Sequence, residues 1–237
     1  MAFFLFNFSF CRNSLRVGVV MDIPIVFFKG FAMGIILAVT VPPATIWLVQ
    51  TGFRRSWFYS MMAGFGIASG NAFVTGGVGY IMFLALPLWP YLGLPARGLT
   101  LLILAYMGWK SFWAKKAESV ALPKEIPLPP NGWHIFQQSF YILVTMPMRI
   151  PLTFAYMIAT AIFWRFGGVL NIFPLMLGCL LGGLAWTSFI CLIGWASKGR
   201  VDEPIILKSL NKLHRFAAYV LGVLFLITLY PLLALAT

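Results

Sequence analysis

Acid is what this chain has least of. Seventeen Lys and Arg stand against five Asp and Glu, and charged residues make up only 9% of the 237. A water-soluble domain carries roughly a quarter charged residues, so the shortage excludes that class. With 61% hydrophobic residues and a mean hydropathy of +0.93, the composition is that of a polytopic membrane protein. The net charge of +12 does not point to nucleic acid. The basic residues lie between apolar runs, where they face anionic lipid and set topology.

Cysteine and histidine are scarce as well. Cys11, Cys179 and Cys191 form no C-x-x-C pair. Cys179 and Cys191 share one apolar run at a helical separation of roughly 18 Å, so they cannot bridge within it and read as buried thiols. His134 and His214 fall near the ends of apolar runs and read as interfacial. No His/Cys cluster has metal spacing, no carboxylate pair lies in an apolar run, and no nucleophile sits beside a base. The expectation is a protein that is not an enzyme and has no metal or cofactor.

The apolar runs predict six spans, near 24–51, 57–84, 91–113, 135–163, 168–195 and 206–234. Residues 114–131, which include Lys, Glu and four prolines, read as a linker. It joins halves 21–113 and 132–237 of a single six-helix domain. Residues 1–20 hold an apolar run too short to span, followed by Arg12 and Arg16. They read as an extension ahead of a start at Met21, or as an interfacial segment. The loops after spans one, three and five, with their flanks, carry Arg54, Arg55, Lys110, Lys115, Lys116, Lys124, Lys198, Arg200, Lys208, Lys212 and Arg215. The opposite side carries Arg12, Arg16, Lys29, Arg97 and Arg165. That excess places the odd loops in the cytoplasm and both termini outside.

Two spans carry proline breaks in matching contexts. Val39-Thr40-Val41-Pro42 precedes Val144-Thr145-Met146-Pro147 by 105 residues. Proline removes a backbone donor and clashes with the preceding turn, so spans one and four should kink or break there. Inside a bilayer, broken backbone is tolerated only where protein buries it or it lines a cavity. Further matches keep chain order: Gly66 and Gly70 in span two with Gly178 and Gly182 in span five, and Ala105-Tyr106 with Ala218-Tyr219 in spans three and six. A three-span unit repeated in tandem inserts upside down the second time, giving a 3+3 inverted repeat, and paired breaks in its halves point to a transporter's binding site. The paired glycines read either as ordinary close packing or as the means of holding spans two and five tightly on the broken spans around a narrow path. A third such motif, Gly30 to Gly34, favours packing.

Candidate binding residues cluster at the breaks: Thr40, Pro42, Pro43, Thr45, Thr145, Pro147 and Arg149, with Asn71 in span two. The threonines either bond their own preceding turns or cap freed helix ends. Pro42 and Pro43 suit the first turn of a new half-helix, whose amides favour a carboxylate. Asn71 serves helix packing or lines the path. Arg149 lies roughly 21 Å from either end of span four, too deep to snorkel, and such a charge is expensive. Asp22, Glu118, Glu125, Asp202 and Glu203 all fall outside the spans. Its remaining partners are carbonyls at a broken helix end, water, or a substrate's carboxylate.

From about residue 24 to 235 the chain resembles the LysE/RhtB superfamily of amino-acid exporters. Pro42-Pro43, the glycines Gly64, Gly66 and Gly70, the charged loop before span four and the second motif at Pro147 carry the resemblance. The family shows Pro-Pro-Gly-Pro where this chain has Pro42-Pro43-Ala44-Thr45, and often an acid in span two, where this chain has Asn71. Its second motif is Asn-Pro-Lys; here it is Met146-Pro147-Met148, with Arg149 one place later. The resemblance implies a secondary exporter of small amino acids or related carboxylate-bearing metabolites in the bacterial cytoplasmic (inner) membrane. The missing span-two acid argues against a cationic substrate. Expected partners are the small-molecule substrate and the lipid bilayer, with a homodimer allowed. The competing expectation is a non-transporting scaffold of the same fold that binds a partner protein or lipid.

Overall fold

The structure, a computed structural model, describes residues 23–40, 48, 51, 56–112, 131–146, 148–160, 162, 169–196 and 218–229. Its elements are α1 (Ile23–Val39), α2 (Trp57–Ala85), α3 (Trp89–Phe112), α4 (Gly132–Thr145), α5 (Arg149–Ala159), α6 (Ile172–Ala196) and α7 (Ala218–Leu229). Short 3-10 turns at Leu86–Leu88 and Val169–Asn171 precede α3 and α6. Among the described residues there is no strand. Helices are what apolar sequence must form in hydrocarbon, because they satisfy every interior backbone group within the segment.

Three of the helical stretches, Trp57–Leu88, Tyr91–Trp109 and Val169–Ala196, are long and apolar enough to cross a membrane. The pair α4 and α5 makes a fourth if it is one span, bent by 69° at its break. The expected first and sixth spans are represented by α1 and α7, which are shorter than a full span; apart from Thr40, Leu48 and Thr51, the rest of both lies outside the described residues.

The bend has a local cause. Met146 precedes Pro147 and is held in an extended conformation, with φ −69° and ψ 110°, because a following proline disfavours the helical region. Three-residue turns close the corner, with Met146 N donating to Leu143 O at 3.3 Å and Arg149 N to Met146 O at 3.1 Å. Then α5 starts with Arg149, and Pro151 falls in its first turn, where a missing N–H leaves no helical bond unmade.

Glycines set the packing. Helix α2 meets α4 where a Cβ on Gly66 would stand 2.5 Å from Phe136 O, and one on Gly70 would stand 3.0 Å from the Leu143 side chain and 3.3 Å from Phe140 O. Helix α6 meets α1 the same way: a Cβ on Gly178 would run into the backbone of Phe27 and Phe31, and one on Gly182 into Phe31 O. Partners climb together in both crossings, so α2 runs parallel to α4, and α6 parallel to α1. The third glycine motif joins the α6–α1 crossing from the other side, with Gly30 against Leu175 O and Gly34 against the backbone of Cys179 and Gly183. Between the crossings, α2 and α6 run antiparallel. Ser60 meets Cys191, Gly64 meets Thr187, Gly183 meets Ala68, Thr75 meets Cys179, and Gly76 meets Met176. The apolar residues enclosed include Met33, Leu37, Val74, Val78, Leu152, Met157, Leu175 and Cys179.

Outside this framework, α3 and α7 flank an apolar cleft of about 270 Å³. Ala105 and Ala218, from the third matched pair, both line it, while Tyr106 and Tyr219 are exposed.

Candidate functional site

Arg149 opens α5 and is buried, at 2% exposure. Its Nη1 donates to Leu37 O at 2.7 Å, near the end of α1 and five residues ahead of Pro42. The flanks of the two proline motifs therefore meet, although Pro42, Pro43, Thr45 and Pro147 lie outside the described residues. Helix α1 leaves Leu37 O available because it ends at Val39, and the last carbonyls of a helix have no partner within it. Thr40 completes the arrangement: its hydroxyl donates to the same carbonyl at 3.0 Å. Two of the residues singled out from sequence, Thr40 and Arg149, thus converge on one oxygen.

The other end of α5 is tied to α1 as well. Lys29 donates to Thr160 O at 2.7 Å, and the Tyr156 hydroxyl donates to Lys29 O at 3.2 Å. A lysine on the C-terminal carbonyls of a helix is favourably placed against its dipole. These contacts lay α5 antiparallel along α1 and fix Arg149 at the level where α1 ends.

The remaining edge of the guanidinium is unpartnered: Arg149 Nε and Nη2 are buried with no hydrogen bond. These two nitrogens form the side-on fork that holds a carboxylate by two parallel bonds. One turn further along α5, the Thr153 hydroxyl is buried and also has no partner. On α2, Asn71 is 1% exposed and both its amide atoms are unpartnered. One turn on from Asn71, Thr75 Oγ1 lies 3.4 Å from Cys179 Sγ. The cation and the orphaned hydroxyl share one face of α5, and the orphaned amide lies on α2, which packs against α5 and α6. Leaving such groups unpaired costs about 1–3 kcal/mol each, and more for a charge.

Thr145 points elsewhere. It is exposed, and its hydroxyl donates to Tyr141 O at 2.7 Å and Ile142 O at 3.2 Å in its own helix. The residues that sequence reasoning missed are Thr153, Thr75 and Cys179. A four-residue step from Arg149 reaches Thr153 on the same helix face, which is the signal that finds it. The Leu37 carbonyl leaves no side-chain signature. Among the described residues no group of His, Cys, Asp and Glu suits a metal ion.

The helical framework and its apolar spans define a class, an α-helical membrane protein with a buried arginine at the bend between two helices. Comparison with protein-family models, with curated proteins and with solved structures found no match.

Proposed function

We propose that this chain is a secondary transporter that exports small amino acids or related carboxylate-bearing metabolites by alternating access. The observation that carries the reading is Arg149: buried, anchored through Nη1 alone, with its two-pronged edge free. An intramembrane arginine with no acidic partner is a functional site by default, and a carboxylate matches the free edge in both charge and geometry. Asn71 and Thr153 supply donors and acceptors for the rest of a small polar substrate.

The six-span 3+3 inverted repeat belongs to the same proposal. The reciprocal crossings support it: exchanging the halves turns Gly66 and Gly70 on Phe136 and Phe140 into Gly178 and Gly182 on Phe27 and Phe31. The helix directions also agree with spans that alternate. A place in the LysE/RhtB superfamily, in the bacterial cytoplasmic membrane with both termini outside, completes the reading. Export of labelled amino acids from cells overproducing the protein tests it. Export should rise with the wild-type chain and not with Arg149→Met. A scaffold would leave export unchanged in both.

A further inference from the structure

We propose that the protein is an obligate exchanger: it closes around a carboxylate on Arg149 far faster than it closes empty, so one substrate leaves only as another returns. The inference rests on the transport reading above and adds the coupling mode to it. Alternating access requires a state shut on both sides, and in the described structure Arg149, Asn71 and Thr153 are all shut away, at 2%, 1% and 0% exposure. Five polar atoms are unpartnered in that state: Arg149 Nε and Nη2, Asn71 Oδ1 and Nδ2, and Thr153 Oγ1. Closing the site without cargo strands all five away from water, two of them sharing a full positive charge, which is the costliest kind of burial. A bound carboxylate takes the fork and neutralises the charge.

A carrier can return empty when one of its own acids swings onto the arginine in place of the substrate. The described helices have none to offer: they contain no Asp or Glu, and the five acids of the sequence, Asp22, Glu118, Glu125, Asp202 and Glu203, fall outside its apolar runs. The anion for the return step therefore comes from the other side of the membrane, as a second substrate molecule.

The experiment uses the full chain in liposomes, with radiolabelled L-alanine, L-threonine and L-glutamate outside. The lumen holds either buffer or the same compound unlabelled. For at least one of the three, uptake should be about tenfold or more faster into loaded vesicles, the rate equivalent of sparing one buried polar group from going unpaired. Arg149→Lys, checked for an unchanged melting temperature, should lose that uptake. Asn71→Leu removes two of the stranded atoms while keeping the arginine, so the ratio of loaded to empty uptake should fall. Equal, Arg149-dependent uptake into loaded and empty vesicles would overturn exchange and leave the transport reading standing. No uptake of any of the three, with no rise in melting temperature from any of them, would overturn both.

Discussion

The two glycine crossings share a plan but differ in how hard they press. Where α6 crosses α1, glycines come from both helices, and every one meets backbone: Gly178 and Gly182 on Phe27 and Phe31, Gly30 and Gly34 on Leu175, Cys179 and Gly183. Where α2 crosses α4, the α4 glycine Gly132 meets only the side chains of Phe58 and Met62, at 3.3 and 3.5 Å. Gly66 meets the Phe136 carbonyl, but Gly70 rests mainly on the Leu143 side chain. Aromatic rings fill in there, with Trp133 and Phe136 stacked at 5.0 Å, Phe136 tilted over Phe65 at 5.5 Å, and Phe140 over Phe73 at 5.9 Å. Backbone at the closest approaches of the α6–α1 crossing cannot step aside, whereas Gly70 faces Leu143 Cδ2, Leu143 Cβ and Phe140 O at 3.0, 3.2 and 3.3 Å, which need give by only a few tenths of an ångström. The first crossing is a fixed clamp on α1; the second leaves room for movement just ahead of the bend that carries Arg149.

Substitutions can break that contrast. Gly182→Ala should be the most damaging, because its methyl group would enter the space of Phe31 O; we expect a loss of about 3 kcal/mol or more, read as a failure to purify folded or as a fall in melting temperature. Gly70→Ala should cost about 1 kcal/mol, since Leu143 can yield. If Gly70→Ala proves as harmful as Gly182→Ala, the second crossing is as rigid as the first and the contrast fails. Gly222→Ala, on α7 beside the outer cleft, has no atom within 4 Å of the added group. It should be neutral or stabilising by up to about 1 kcal/mol through helix propensity.

Much of this arrangement is legible in the amino-acid sequence. The offset that equates Gly66 and Gly70 with Gly178 and Gly182 picks out the pairs that occupy equivalent crossings. The reading of those motifs as close packing describes them: Gly66 and Gly70 seat α2 on α4, and Gly178 and Gly182 seat α6 on α1. Arg149 and Asn71 stand out as polar groups deep in apolar runs, and both are buried. Thr145 draws notice by its nearness to Pro147, but direction around the helix, not distance along the chain, decides what a side chain faces. Leu143, two residues earlier, is the one turned inward. Leu37 cannot be found from side-chain chemistry, because what it contributes is a carbonyl freed by the end of α1. Thr153 is within reach, one helical turn from Arg149. Yet threonine in an apolar helix often bonds its own preceding turn, as Thr160 and Thr187 do here, so it carries little signal until its hydroxyl is seen without a partner.

Arg149→Lys separates the anchor from the fork. A lysine can still donate to Leu37 O at the end of α1, but it has no planar pair of donors to offer a carboxylate. Measured together in purified protein, the melting temperature of Arg149→Lys should stay within a few degrees of wild type while amino-acid uptake into vesicles falls by about tenfold or more, the loss of one charge-assisted bond in the site. Full uptake by a well-folded Arg149→Lys protein would contradict the assignment of Arg149 as the carboxylate fork.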